Sequence, residues 1–400
     1  MNLFVTLGRA LADRSHHVIV FGIPEVAEVV QASGLEYRHL EPKSAPCGTL
    51  ASLIQSMANA QGWRAFQLQG RFDGLRSEGI LSQGPSMVKE AQLDALVVDQ
   101  AEACGGSMAE MAGLPWVTVC SALCFNAEPR VPPFFTPWKY AESRAAILRN
   151  QMAYAVAGLA TKPAQKLING HRQKAGLPLF KRLDDTFSPF AQICQQNREF
   201  DFPRQQLPEC FHYAGPIQAL PRPCEFPWER LDGRPLLYAS LGTLFNQHRY
   251  IYRVIAEACA GLKAQLVLSL GGGAEASEYA DLPGSPIVVK FAPQRELLKR
   301  AALTITHAGL NTTLESLQAG VPLVAIPITS EQPAVAARIR WTGTGDFISL
   351  SRLTAERLRR TVERVLGDPA YRNAAQEMKA AIGRTRGSAR AVEIIEEAIR

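Results

Sequence analysis

The sequence predicts an α/β protein of two doubly wound domains, each with a parallel sheet covered by helices on both faces. Three observations lead to this fold class. The chain has 400 residues, enough for about two domains of roughly 150 residues each. Short runs rich in Leu, Val and Ile alternate with amphipathic stretches in both halves, which is typical of covered parallel sheets. A proline-rich stretch, residues 215–235, separates the halves and reads as a linker.

The individual elements follow from these runs in chain order. Leu3, Leu7 and Leu11 recur at helical spacing, so the chain opens on a helix. The predicted strands are 17–22, 35–40, 95–99 and 115–120 in the first half, and 235–241, 264–270, 286–291, 303–306 and 322–328 in the second. A doubly wound domain normally begins with a strand in the middle of its sheet. The first domain is therefore expected to lack a central strand.

Composition limits the classes of function. The formal net charge is +6, but basic residues are mixed with acidic ones, as in the helical stretch 356–364; this indicates a solvated face, not a nucleic-acid site. The eight cysteines form no CxxC pair, so buried reduced thiols are expected instead of a zinc site. The sequence shows neither a membrane-spanning run nor a signal peptide, which favours the cytoplasm.

A candidate anion site follows the predicted strand 303–306. His307 and Gly309 lie between this strand and the start of a helix that ends at Gly320, and such a helix start presents unpaired N–H groups to a negative ligand. The sequence Ser240-Leu241-Gly242-Thr243 follows an earlier strand and offers a second close approach to phosphate.

Two motifs have alternative interpretations. Gly271-Gly272-Gly273 fits the dinucleotide fingerprint in part, but Lys290 stands near the end of the next strand where an acidic residue is required; we interpret the glycines as a flexible turn. Thr312 and Glu315 fit a capping box. Glu315 could equally accept both hydroxyls of a ribose, and the spacing leaves both roles open.

Residues 291–332 resemble the donor-binding signature of family 1 UDP-sugar glycosyltransferases. That signature in plants runs W-x-P-Q, H-C-G-W-N-S-x-x-E, G-V-P and D-Q; this chain has F-A-P-Q, H-A-G-L-N-T-x-x-E, G-V-P and E-Q in the same order. The rest of the chain is similar to bacterial members of the zeaxanthin and macrolide glucosyltransferase group. The resemblance implies the GT-B fold, in which two Rossmann-like domains face each other across a cleft, and a reaction that needs no metal or cofactor.

The resemblance also implies a role for each residue of the signature. Phe291 would stack on uracil, with the Ala292 backbone at the base edge and Gln294 near base and ribose. The diphosphate would be held by His307, Gly309, Asn311 and Thr312, together with Ser240, Gly242 and Thr243. Glu315 would bind the ribose, and Glu331 and Gln332 the sugar hydroxyls. Leu310 stands where the plant signature has Trp, and Glu331 where it has Asp.

The catalytic half is less complete. In this family a histidine after the first strand is the base, and an Asp at the end of a later strand orients it. Asp99 matches that Asp, although capping the next helix is an equal alternative. His16 and His17 lie on the wrong side of the first helix to be the base. We hypothesise that the first strand and its histidine loop lie upstream of Met1, so the chain is truncated or starts at an internal Met.

The resemblance gives a division of the chain and a function. We expect an acceptor-binding domain at 1–215 without its first strand, a linker at 216–234, a UDP-sugar-binding domain at 235–380, and a terminal helix at 381–400 packing back on the first domain. The expected reaction is inverting transfer of a hexose, glucose first, from UDP to a hydroxyl of a hydrophobic small molecule. A carotenoid is the first choice of acceptor, before a polyketide or phenolic.

Some questions stay open at this point. The aromatic, proline-rich residues 129–140 either line an acceptor pocket or form a packed surface loop. The alternative functions are a UDP-sugar-binding pseudoenzyme without its catalytic histidine and a nucleotide-sugar epimerase. A partner nucleic acid is not expected, and contact with a membrane surface and the oligomeric state are left open.

Overall fold

The computed structural model describes residues 2–40, 48–58, 62–218, 224–243 and 248–400. The helices and strands of these residues are, in chain order, α1 (Asn2–Ala12), β1 (Ile19–Gly22), α2 (Ala27–Ala32), β2 (Glu36–His39), α3 (Thr49–Ala58), α4 (Gly62–Glu90), β3 (Leu96–Asp99), α5 (Gly105–Ala112), β4 (Trp116–Cys120), α6 (Arg144–Ala160), α7 (Lys162–Lys174), β5 (Ala191–Cys194), β6 (Phe211–Tyr213), β7 (Leu236–Ser240), α8 (Arg249–Cys259), β8 (Gln265–Ser269), β9 (Ile287–Val289), α9 (Gln294–Leu298), β10 (Ala301–Thr306), α10 (Leu310–Ala319), β11 (Leu323–Ala325), α11 (Gln332–Trp341), β12 (Gly345–Phe347), α12 (Ala355–Gly367), α13 (Pro369–Gly383) and α14 (Ser388–Ala398). The predicted α/β class with parallel sheets is confirmed.

The second half contains one six-stranded parallel sheet in the order β12-β11-β10-β7-β8-β9. Its inner strands are buried on both faces, as the apolar runs indicated: all five residues of β7 and all three of β11 are buried. Helices α8 and α12 pack on one face in a large apolar cluster, and α10, α11 and α13 share another. The order places the first strand of this half, β7, at the centre of the sheet, as in a doubly wound fold.

The strands of the first half lie in two separate sheets. β3, β4, β5 and β6 form a parallel sheet in that order, whereas β1 pairs only with β2. Within the described residues no strand joins β1 to β3, so these two sheets of the first half are separate. Helix α1 packs under both groups: Leu3, Leu7 and Leu11 contact the β4 and β5 region, and Val5 contacts the β1 and β2 region.

Three strands of the structure were not predicted from the sequence. β5 and β6 are short, and β12 carries Gly345 and Asp346 in its three residues, which are residue types that strands disfavour. The nine predicted strands and the opening helix are all present, with ends that differ by one to a few residues.

The ends of the chain lie together. Ile394 and Ile395 of the terminal helix α14 belong to the same apolar cluster as Leu3 of α1 and Val117 of β4. Helix α14 thus packs on the first half although it follows the second half in sequence. Among the described residues, no helix is both long and apolar enough to cross a membrane.

Candidate active site

The candidate site lies where the strand order of the second sheet reverses. β7 and β10 are neighbours there, and Ser240 lies opposite Thr306 at their carboxyl ends. The loops that follow, 241–243 and 307–309, therefore emerge side by side. Ligands of open α/β sheets bind in the crevice at such a reversal.

His307 fills the space between these two loops. Its side chain is only 8% exposed, and its ring hydrogen-bonds the backbone of Ser240. A Cβ on Gly309 would lie 2.4 Å from the ring Nε2, and a Cβ on Gly242 would lie 2.8 Å from Cε1. Both glycines therefore leave room for the imidazole, which explains why the chain has no side chain at these positions.

Burial makes His307 a neutral group. It lowers the pKa of the imidazole to about 4, against a smaller upward effect of the hydrogen bond with the Ser240 backbone. At neutral pH the ring is uncharged and carries a single N–H, which donates to the Ser240 carbonyl; the other ring nitrogen is an acceptor. The ring therefore holds the two loops together. The positive potential at this site comes from the helix start beside it.

Helix α10 begins immediately after His307 with Gly309 as its N-cap. Ala308, between them, has φ 64°, a left-handed conformation that costs a non-glycine residue about 1–2 kcal/mol. Since Gly309 has no side chain to cap the helix, the first N–H groups of α10 are left to face a ligand. The capping-box interpretation of Thr312 and Glu315 is wrong, because the helix has already begun at Leu310.

Glu315 is instead held by hydrogen bonds from α9. Gln294 Nε2 donates to Glu315 Oε2 at 2.6 Å, and Arg295 Nε lies 3.5 Å from Oε1. The Tyr238 hydroxyl donates to Gln294 Oε1 at 3.0 Å. The carboxylate is thus fixed at the crevice. Arg295 and Tyr238 were missed in the sequence because their side chains contact signature residues but not the expected ligand.

Phe291 is fixed by the triglycine turn. A Cβ on Gly272 would lie 2.6 Å from Phe291 Cζ, and Gly272 has φ 86°. The ring is 44% exposed, so it presents apolar surface on which a planar base can stack. The interpretation of the glycines as a turn is confirmed, and the turn also supports the ring.

Glu331 and Gln332 lie at the start of α11. Gln332 is buried, and its Oε1 accepts hydrogen bonds from the N–H groups of Ile328 and Thr329 at 2.8 and 3.0 Å, which leaves its NH₂ for a ligand. Burial raises the pKa of Glu331. The remaining signature residues differ in exposure: Asn311 and Thr243 are exposed, Ala292 is half-buried, and Thr312 and Leu310 are buried.

Asp99 lies at the end of β3 in the first half. Its Oδ2 accepts a hydrogen bond from Ser121 Oγ at 2.6 Å, and its Oδ1 accepts one from the Ala101 N–H at 3.0 Å. The alternative role as a helix cap is wrong, since Cys104 is the N-cap of α5. His16 and His17 pair with Glu396 and Glu36, which agrees with assigning neither as the base.

The 129–140 loop packs between the two halves. Its Tyr140 stacks on Phe202 at a centroid distance of 5.6 Å and contacts Trp341 of α11 edge-on. Its Phe134 packs on an apolar cluster that contains Leu123 of the first half and Ala308 and Leu310 of the candidate site. The loop therefore brings apolar surface up to the start of α10.

Similarity to known proteins agrees with this geometry. The family model for UDP-glucoronosyl and UDP-glucosyl transferase matches residues 82–382. The chain is 35% identical over 322 residues to a zeaxanthin glucosyltransferase of Pseudescherichia vulneris, covering 80% of this chain and 77% of that protein. It is 30% identical to a zeaxanthin glucosyltransferase of Pantoea ananas, covering 98% and 91%.

Solved structures show the same fold. The glycotransferase of kitacinnamycin has a TM-score of 0.74 at 23% identity, covering 99% of this chain and 95% of that one. CalG4, the calicheamicin glycosyltransferase, has a TM-score of 0.73 at 21% identity, covering 99% and 94%. Together with the matched family model, these findings show that the chain belongs to the UDP-glucoronosyl and UDP-glucosyl transferase family and is a glycosyltransferase that takes its sugar from a nucleotide-sugar.

Proposed function

We propose that this chain transfers glucose from UDP-glucose to a hydroxyl of a hydrophobic small molecule, a carotenoid alcohol first, with inversion at the anomeric carbon. The observation that carries the proposal is the crevice between β7 and β10, where His307, the start of α10 and Glu315 converge. The similarity along nearly the whole chain to a protein named zeaxanthin glucosyltransferase supports the choice of sugar and acceptor.

In the proposed mechanism, the donor lies along this crevice. Uracil stacks on Phe291, Glu315 accepts the ribose hydroxyls, and the diphosphate meets the N–H groups at the start of α10, with further contacts from Ser240, Gly242, Thr243, Asn311 and Thr312. Glu331 and Gln332 hold the sugar hydroxyls. The acceptor oxygen attacks the anomeric carbon opposite UDP and loses its proton to water, while the bond from that carbon to the diphosphate breaks and UDP leaves with the electron pair. The preorganised N–H groups at the start of α10 stabilise the departing charge without a metal or another cofactor, and the neutral His307 ring holds the two loops that carry them.

The acceptor is proposed to bind between the halves. Leu123 and Phe134 extend apolar surface from the first half to Ala308 and Leu310, and Phe125 stacks on Phe134 at a centroid distance of 4.0 Å. An apolar wall with few polar groups suits a large hydrophobic alcohol. On this proposal residues 1–215 bind the acceptor and 235–380 the donor, with 216–234 as the linker.

The proposal is tested by following UDP release with UDP-glucose and each of three acceptors: a hydroxylated carotenoid in detergent micelles, a polyketide alcohol and a phenol. We expect acceptor-dependent release, greatest with the carotenoid, and a β-linked product from the α-linked donor. UDP-galactose in parallel tests the sugar. A product with retained configuration would contradict the proposed single displacement.

A second candidate function is UDP-sugar binding without transfer. The observation favouring it is the environment of Asp99, whose carboxylate is bonded to Ser121 and Ala101; no histidine is among its hydrogen-bond partners in the described part of the chain. Calorimetry separates the two functions. UDP binding accompanied by no UDP release with any acceptor would support the binding protein and contradict the transferase proposal.

A further inference from the structure

Helix α6 has one face anchored on the protein. Ala146, Asn150 and Tyr154 recur every four residues and point inward: Asn150 Nδ2 donates to the Pro129 carbonyl at 3.0 Å, and the Tyr154 hydroxyl donates to the Val131 carbonyl at 3.2 Å. These contacts fix α6 on the 129–140 loop. They also determine which face of the helix points away from the protein.

The outward face of α6 is apolar. It carries the stripe formed by Leu148, Met152, Val156 and Leu159, which are 57%, 63%, 67% and 60% exposed. Residues 150–161 contain no charged side chain. A contiguous exposed apolar patch on a protein surface marks a binding surface.

The chain segment that carries this stripe is basic, and the two carboxylates that other elements bring to α7 are bonded there, Glu78 to His171 at 3.1 Å and Glu110 to the buried Arg172. From residue 143 to residue 183 the sequence contains no Asp or Glu. Arg144 at the start of α6 and Lys162, Lys166 and Lys174 of α7 are exposed. A partner that fits this surface therefore offers apolar groups to the stripe and negative charges to the cations around it.

We propose that the outward face of α6, with these cations, docks the protein on an anionic lipid bilayer. In this arrangement the stripe enters the boundary between headgroups and acyl chains, and the cations contact anionic headgroups. A second copy of the chain fits less well, because a two-fold interface along α6 brings the same cations of both copies together. If the function proposed above holds, docking also places the 129–140 loop, and with it Phe134, near a reservoir of apolar acceptor.

The test is flotation of the full chain with vesicles of phosphatidylcholine alone or with one quarter phosphatidylglycerol. We expect binding to the anionic vesicles only, reversed by about 0.5 M NaCl, which shortens the Debye length to a few ångströms. The double variant Met152→Ser/Val156→Ser is expected to bind at least about tenfold more weakly, because two large apolar side chains are removed from the lipid contact. The double variant Lys162→Gln/Lys166→Gln is expected to weaken binding to anionic vesicles.

Leu366→Ser, at an exposed apolar residue of α12 (37%), is the matched control and is expected to bind like the wild type. Absence of wild-type binding to anionic vesicles, or equal binding by Met152→Ser/Val156→Ser, would overturn the proposal. So would a dimer in sedimentation velocity that this variant abolishes. Turnover with acceptor in detergent micelles does not depend on docking, so its absence would count against the transferase proposal alone.

Discussion

At the scale of single residues, His307 combines a functional position with a cost in stability. Its ring lies among Ser240, Gly242 and Gly309, where the absence of side chains on the two glycines leaves room for it. A histidine buried in the neutral form destabilises the folded state when it must take up a proton. The site therefore has a pH dependence that can be measured without substrate.

The first prediction concerns this pH dependence. Burial lowers the pKa of His307 from 6.5 to about 4, so the unfolded chain binds the proton more tightly and stability falls as the pH drops from 6.5 towards 4. The difference corresponds to roughly 3 kcal/mol. The glutamine of His307→Gln cannot titrate. Between pH 7 and pH 4 the free energy of unfolding by urea should therefore fall by about 3 kcal/mol less in this variant than in the wild type. Parallel curves for the two proteins would rule out a buried neutral imidazole.

The second prediction concerns Glu315. If its carboxylate accepts the ribose hydroxyls, Glu315→Gln weakens UDP binding about tenfold, since hydrogen bonds to a charged acceptor contribute roughly 1.5–3 kcal/mol. The same substitution should weaken the binding of 2′-deoxy-UDP, which lacks one of the two hydroxyls, much less. Calorimetry with both ligands gives the ratio of the two dissociation constants for each protein. Glu331→Gln, in the same crevice, should leave this ratio as it is in the wild type. A changed ratio in Glu331→Gln would instead assign ribose binding to Glu331.

The sequence was informative about these residues because the signature is local. His307, Gly309 and Glu315 lie on one strand-loop-helix, so their order alone indicated a phosphate site. The partners of Glu315 were harder to predict. Tyr238 reaches Gln294 from a strand 56 residues away, and that pairing depends on the order of strands in the sheet, which spacing does not specify.

At the scale of elements, the loops after the strands define the site. Long apolar runs predicted β7, β8 and β10, while β12 was missed because Gly345 and Asp346 weaken its pattern. The triglycine turn after β8 was predicted as a turn, but its contact with Phe291 was not. That contact requires β8 and β9 to be neighbours, which the sheet order shows.

The third prediction tests this contact. Gly272→Ala places a Cβ 2.6 Å from Phe291 Cζ and forces alanine into φ 86°, so the ring must move and UDP binding should weaken several-fold. Gly261→Ala is the matched control. Gly261 also has a positive φ, 78°, but its Cβ would meet only the end of the Arg359 side chain at 3.4 Å. Both variants should lose similar stability, and only Gly272→Ala should lose UDP affinity in calorimetry. Equal UDP affinities of the two variants would contradict the stacking of uracil on Phe291.

At the scale of the whole molecule, a buried charge cluster joins the two halves. Asp201 of the first half bonds Arg204 at 2.8 Å and Arg338 of α11 at 2.7 Å, and all three side chains are almost fully buried. Burial alone would raise the pKa of Asp201, but the two guanidinium groups lower it well below its usual range. Since α11 also carries Gln332, the cluster ties the candidate site to the first half.

This cluster was not predictable from the sequence. Asp201 and Arg338 are 137 residues apart, and neither belongs to a pattern with a physical meaning of its own. Both become functional candidates only when α11 is seen to lie against the loop that follows β5. The packing of the halves therefore depends on contacts that local periodicity and motif spacing leave undetermined.

The fourth prediction is that Asp201→Asn destabilises the protein by about 3–5 kcal/mol at pH 7, because it leaves two buried guanidinium groups without their counter-charge. The Asp201 carboxylate contributes its stability above its unfolded pKa near 3.8, and the contribution is lost as the pH falls through the lower folded value. Arg384→Ala is the control, since Arg384 and Glu199 also join the halves but are 68% and 49% exposed, and such pairs contribute less than about 1 kcal/mol. Urea unfolding of both variants at pH 7 measures the difference. If the two variants lost equal stability, the buried cluster would add nothing beyond a surface ion pair, and the apolar contacts between the halves, such as those of Tyr140, Phe202 and Trp341, would hold them together without it.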